Sequence, residues 1–221
     1  MSKDFNRKEL RQDVFVASSL NAIEWIRKHR EKVVKYGSVV MIAALVFAIW
    51  RFQSLKAEHT VSGKLFAIMS LYRQGTEQAD EENIRLCRET AEAYPKSGLL
   101  DAILFYEGNC LFRLGRFDEA LKVYDDFVTR YPDHDHKSLV ESDRANVYEE
   151  MKEYEKARDI LGVLLESPNA GYMRAKLTLD LARIERLLNN PDRARELYDQ
   201  IIKDYGGSDF AAMAKSQKDF L

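Results

Sequence analysis

The residues best suited to chemistry in this chain are four alternating ligands, Asp133, His134, Asp135 and His136. Imidazoles and carboxylates alternating in a loop can hold zinc or copper weakly, but a solvated polar loop after the helix-ending Pro132 is their commoner meaning. The only cysteines are Cys87 and Cys110. They can close a disulfide in an oxidising compartment, but small buried positions are their commoner meaning. The paired carboxylates Asp125-Asp126 and Glu149-Glu150 fall on predicted helices among abundant Lys and Arg, and they read as solvated faces. No Gly-rich phosphate loop, nucleophile elbow or His-Glu-x-x-His occurs. The expectation is a chain that is not an enzyme. It has no catalytic, cofactor-binding or metal-ligating residues and no small-molecule substrate.

The elements that must carry these residues are helices. Only four Pro and ten Gly occur in 221 residues, and charged residues of both signs make up 32%. Helix interiors exclude Pro and tolerate Gly poorly, so an all-α fold is expected. The net charge of −2 hides an asymmetry. Residues 1–35 carry nine Lys/Arg against five Asp/Glu, whereas residues 57–221 carry 23 against 31. An acidic C-terminal part argues against nucleic acid as a partner.

From residue 36 to 50 no charge occurs, and extending the segment to 33–52 adds Lys35 and Arg51 only near its ends. Twenty helical residues cover about 30 Å, the thickness of a bilayer core. Tyr36 and Trp50 stand where interfacial aromatic residues belong. A transmembrane anchor is expected over 33–52, in contact with lipid. Arg27, Lys28, Arg30, Lys32 and Lys35 precede it, which places residues 1–32 in the cytoplasm and 53–221 outside. Arg51-Phe52-Gln53 offers no cleavage site after the apolar run. Asn21 and Glu24 have capping-box spacing, and Leu20, Ile23, Ile26 and Val33 recur at helical spacing. They predict a short amphipathic helix on the inner leaflet or against a cytoplasmic partner, or else only a basic topology signal. Lys8-Glu9-Leu10 and Asp13-Val14-Phe15 are candidate docking motifs.

Beyond the anchor the chain repeats itself. Ala120, Ala157 and Ala194 are spaced 37 residues apart. Twelve residues before each stands a small residue, Gly108, Ala145 or Ala182, and four residues after each a large one, Tyr124, Leu161 or Tyr198. Small residues let two antiparallel helices approach, and the large residue fills the groove between them. Each hairpin leaves an apolar face for the next to cover, so stacked units share one core. Tyr94-Pro95 and Tyr131-Pro132 mark unit ends in register. Ser208 is positioned to cap a last helix running through Phe220.

The run from Gly108 to Ala120, with Tyr124 and Pro132 behind it, resembles a tetratricopeptide repeat. The match is close over 101–134 and looser over about 138–170 and 175–207. A degenerate first unit over about 60–97 keeps mainly Ala91 and Tyr94-Pro95. The resemblance implies an all-α solenoid of about three to four helical hairpins, with the longer period taken up in the inter-hairpin loops. It puts Cys87 and Cys110 on helices that pack together. It also implies that the first helices line a concave groove for protein partners. Carried onto this chain, the groove positions include Ala102, Phe105, Asn109, Phe112, Arg113, Asn146, Glu149, Lys176 and Arg183, with Tyr72 from the degenerate unit. Phe105 and Phe112 suit either partner binding or packing. Asn109, Asn146 and Arg183 occupy places used in a carboxylate clamp, but Phe105 and Leu179 stand where its further basic residues belong, so no clamp is expected.

A basic N-terminal segment, one span near residue 40 and a repeat domain outside resemble, in plan, the YfgM-like ancillary subunits of the SecYEG translocon in the bacterial inner membrane. That resemblance implies a scaffold or chaperone accessory of protein export. Its partners would be a translocon or envelope complex and unfolded exported polypeptides in the periplasm. The alternative is a dedicated assembly factor for one envelope complex serving division, secretion or the outer membrane.

Overall fold

The structure, a computed structural model, describes residues 25–221. The candidate docking motifs, the capping pair Asn21 and Glu24, and Leu20 and Ile23 of the expected amphipathic helix lie outside the described residues. The chain divides into two units, residues 1–56 and 57–221. Helix α1 (Arg30–Gln74) contributes to both, and each part is described with its own unit.

In the first unit the apolar run is almost wholly exposed. Val40, Phe47 and Trp50 are each more than half exposed, and the Phe47 and Trp50 rings lie 5.8 Å apart. Leaving such area in water costs about 25 cal/mol per Å2. By length and composition α1 is apolar enough to cross a membrane.

The second unit is a stack of helical hairpins. Residues 57–74 of α1 pair with α2 (Glu77–Ala93). Then follow α3 (Leu100–Arg113) with α4 (Phe117–Arg130), α5 (Lys137–Glu150) with α6 (Tyr154–Glu166), and α7 (Arg174–Leu187) with α8 (Pro191–Asp204). Helix α9 (Asp209–Lys218) packs on α8 and closes the end. Among the described residues there is no strand. The first helices of three hairpins start at Leu100, Lys137 and Arg174, and their second helices at Phe117, Tyr154 and Pro191, each 37 residues after the last. The added length lies between hairpins, in residues 131–136 and in the 3-10 turn Pro168–Met173, as the repeat spacing predicts.

Within each hairpin the turn is short and uniform. The backbone N–H of Arg116, Glu153 and Asn190 donates to the carbonyl of Leu111, Tyr148 and Glu185 at 2.8 to 2.9 Å. This six-to-one bond needs a left-handed residue just before the donor. Gly115 (φ +70°), Lys152 (φ +62°) and Asn189 (φ +62°) supply it. At helix starts, Thr76 Oγ1 accepts from the Ala79 N–H at 3.2 Å and Ser208 Oγ from the Ala211 N–H at 3.2 Å. Ser208 is thus the cap its sequence position predicts.

Three apolar clusters run along the stack. Val61, Ile68, Cys87 and Ile103 form the first, Leu104, Leu111, Tyr124 and Phe127 centre the second, and Leu161, Leu177, Tyr198 and Ile201 centre the third. The small–large pattern acts as expected: the Tyr124 ring packs against Gly108.

Candidate functional site

The first helices of the hairpins carry the residues of the expected groove. Its aromatic part begins with Tyr72 near the end of α1, whose ring lies 5.1 Å from that of Tyr106 on α3. Phe105 continues the cluster, 5.6 Å from Tyr106, and Phe112 meets Phe117 at 5.9 Å. Phe105 and Phe112 are partly buried against the second core cluster, so each packs on one side and stays open on the other.

Two of the expected groove residues, Tyr72 and Arg113, are brought together. The Arg113 guanidinium lies over the Tyr72 ring, 4.0 Å from its centroid, and donates to the Tyr72 carbonyl at 3.2 and 3.3 Å. It also grips both carboxylate oxygens of Asp80, with Nε to Oδ2 at 2.9 Å. Asp80 is only 3% exposed. It holds the place that Ala120, Ala157 and Ala194 hold in the later units, and Arg113 supplies the charge and donors that its burial requires.

Two of the other expected residues, Asn109 and Arg183, are also engaged. Asn109 Oδ1 accepts from the Tyr124 hydroxyl at 2.7 Å. Arg183 donates through Nε and Nη2 to the two Glu149 oxygens at 2.6 and 2.8 Å, and its Nη2 lies 3.0 Å from Asp180 Oδ1. Asn146 is half-buried on α5. Sequence spacing did not single out Asp80, Asp143 or Asp180. Asp143 is a mostly buried carboxylate on α5, and burial raises its pKa to about 6, with Asp180 adding to the shift and Lys176 opposing it. Such ionic relations run between residues 33 to 37 apart, and only the stacking of hairpins creates them.

The cysteines are buried and free. Cys87 Sγ donates to Asn83 Oδ1 at 3.2 Å, and Arg113 Nη2 approaches Cys110 Sγ at 3.7 Å. Burial pushes both thiols up, Cys110 to about 12, which suppresses the thiolate form.

At the loop end of the stack lies an open cleft of about 1110 Å3 lined by His134, His136, Glu141, Arg144, Ile160 and Val163. His134 Nδ1 accepts the backbone N–H of His136 at 3.1 Å, and Nε2 faces Asp101 Oδ2 at 3.0 Å. Both ring nitrogens are therefore occupied, and the ring packs edge-on against Phe127 at 5.6 Å. His134 anchors the loop to α3 and α4. Among the described residues no group of three or more His, Cys, Asp or Glu could hold a metal ion.

The tetratricopeptide-repeat family model matches residues 102–134 and 179–208. No curated protein sequence matches the chain. Among solved structures, nearly identical repeats of a putative kinesin light chain from Podosopora anserina superpose with a TM-score of 0.57. Identity is 14%, over 69% of this chain and 82% of that one. A tetratricopeptide-repeat protein from Parabacteroides merdae gives 0.52 at 20% identity, over 67% of this chain and 57% of that one. MamA from Desulfovibrio magneticus RS-1 gives 0.52 at 17% identity, over 71% and 86%. At these identities the likeness is one of fold, a stack of tetratricopeptide-type hairpins, and such repeats are protein–protein interaction modules.

Proposed function

We propose that this tetratricopeptide-repeat protein is a membrane-anchored interaction module that holds polypeptide segments in its concave face, as a scaffold or chaperone accessory of protein export. The observation that carries this reading is the row of partly buried aromatic side chains, Tyr72, Phe105 and Phe112, along the first helices of the hairpin stack. Aromatic side chains bring large apolar area at little entropic cost, which suits capture of an extended or helical segment. Asn109, Arg113 and Arg183 complete the groove as polar positions that set its shape through their hydrogen bonds, and Asn146 adds a further polar side chain.

Residues 33–52 anchor the protein in lipid. The support is an exposed apolar run from Val39 to Trp50 with a basic cluster before it and an acidic domain after it. The charge asymmetry orients the N-terminus to the cytoplasm and residues 53–221 to the periplasm of a bacterial inner membrane. The whole plan resembles that of the YfgM-like translocon subunits, which is the basis for placing the protein in export.

The test is chemical crosslinking in intact cells followed by purification of the full chain from solubilised membranes. Translocon subunits together with many exported proteins are the expected catch. One stoichiometric envelope protein would replace this reading with that of a dedicated assembly factor.

A further inference from the structure

The concave face changes chemistry along its length. Its first half is aromatic, whereas its second half carries Asp143 on α5 and Lys176, Asp180 and Arg183 on α7. In that half both cations are already answered. Lys176 Nζ donates to Asp180 Oδ2 at 2.7 Å and to Ser142 Oγ at 2.9 Å. Arg183 is held by Glu149 and Asp180. Three carboxylates thus share two cations, and Asp143 is the one left over. No hydrogen-bond donor among the described residues reaches its carboxylate. In the 37-residue register of the hairpins Asp143 holds the place of Tyr106 on α3 and of Asp180 on α7, so it lies where the aromatic and ionic halves of the face meet.

We propose that Asp143 is the recognition point for a basic side chain, Lys or Arg, on the segment bound in this groove, with apolar side chains of that segment seated on Tyr72, Phe105 and Phe112. The inference rests on the groove reading given above and names the chemistry of its partner. A carboxylate that is partly withdrawn from water and lacks donors is disfavoured in its charged form. An arriving ammonium or guanidinium supplies both the opposite charge and the missing donors, at a site where the interaction is little screened. An acidic segment, or a chain terminus offering its carboxylate, meets Asp143 and finds Lys176 and Arg183 already committed. The groove therefore selects basic over acidic segments by repulsion as well as attraction.

The test pans a displayed library of random peptides, about twelve residues long, against the full chain in detergent micelles. Binding of one enriched peptide is then measured by fluorescence anisotropy. Enriched peptides should carry a basic residue beside apolar ones. Replacing that residue by Gln should weaken binding to the wild type about tenfold and leave binding to the Asp143→Asn variant unchanged. Peptides that lose binding on Phe112→Asp, yet tolerate both the Gln replacement and Asp143→Asn, would overturn the role of Asp143 while leaving the groove intact. Enrichment of no peptide, or only of peptides indifferent to Phe112→Asp, would remove the groove reading and this inference together. The peptide-side replacement needs no protein variant, so the outcome does not depend on how Asp143→Asn folds.

Discussion

The ring of Tyr124 occupies the space that Gly108 leaves empty: a Cβ at Gly108 would stand 2.3 Å from Tyr124 Cε1. The ring cannot retreat, because Tyr124 is fully buried and its hydroxyl is tied to Asn109. Gly108→Ala gains about 1 kcal/mol of helix propensity but forces this contact open. Overpacking of this kind costs typically 1–3 kcal/mol. A net loss of stability in urea unfolding is expected, and an unchanged midpoint would contradict the packing described.

The hairpin turns invite a second comparison. Gly115 and Lys152 hold the same left-handed place in successive turns. A side chain with a Cβ costs about 1 kcal/mol there relative to glycine. Lys152→Gly should therefore raise the unfolding free energy by up to about 1 kcal/mol, and Gly115→Ala should lower it by a similar amount. Equal and null effects at both positions would show that the turns do not limit stability.

Asp80 and Arg113 should behave as a coupled pair. Arg113→Leu leaves a buried carboxylate without its partner and should cost about 2 kcal/mol or more. Adding Asp80→Ala, the residue type of the later units at this place, should recover most of the loss. A double-mutant cycle by thermal unfolding reads the coupling, and simple additivity would argue against the pairing.

Asp143 gives the fold a pH dependence of known sign. Its ordinary pKa is 3.8, and burial raises it to about 6. The folded state thus binds the proton more tightly than the unfolded chain. The stability this contributes is complete below about pH 4 and is lost as pH rises through about 6. The whole effect is on the order of 3 kcal/mol. Asp143→Asn should remove it, so the variant should gain on the wild type between pH 4 and 7 in parallel denaturant melts. A constant difference across that range would contradict the raised pKa.

Much of the fold is legible in the sequence because packing distances constrain residue size. Gly108, Ala145 and Ala182 must be small where helices cross, and Ala120, Ala157 and Ala194 must be small where the second helix enters, so the spacing of 37 survives in the letters. The first hairpin is harder to read for two physical reasons. Its second helix, α2, has 17 residues where α4 has 14, and its turn at Gly75 lies 40 residues before that at Gly115. Aligned on Tyr94-Pro95, Tyr72 falls opposite Asn109; aligned on the turn, it falls opposite Phe112. Asp80 further hides the hairpin, since a carboxylate stands where alanine is expected. The site is less legible than the fold. Nothing in the spacing of Arg113 and Arg183 reveals that Asp80 and Glu149 have already claimed them, because those partners arrive from other helices.

The most direct test of the central claim, that the concave face is the partner-binding surface, is site-specific photocrosslinking in intact cells. A photoreactive residue replaces either Phe112 on the concave face or the exposed Lys122 on α4. Protein adducts from position 112, with few or none from position 122, are the predicted result. Adducts from position 122 with none from 112 would mean that Phe112 serves only the core and that partners dock elsewhere.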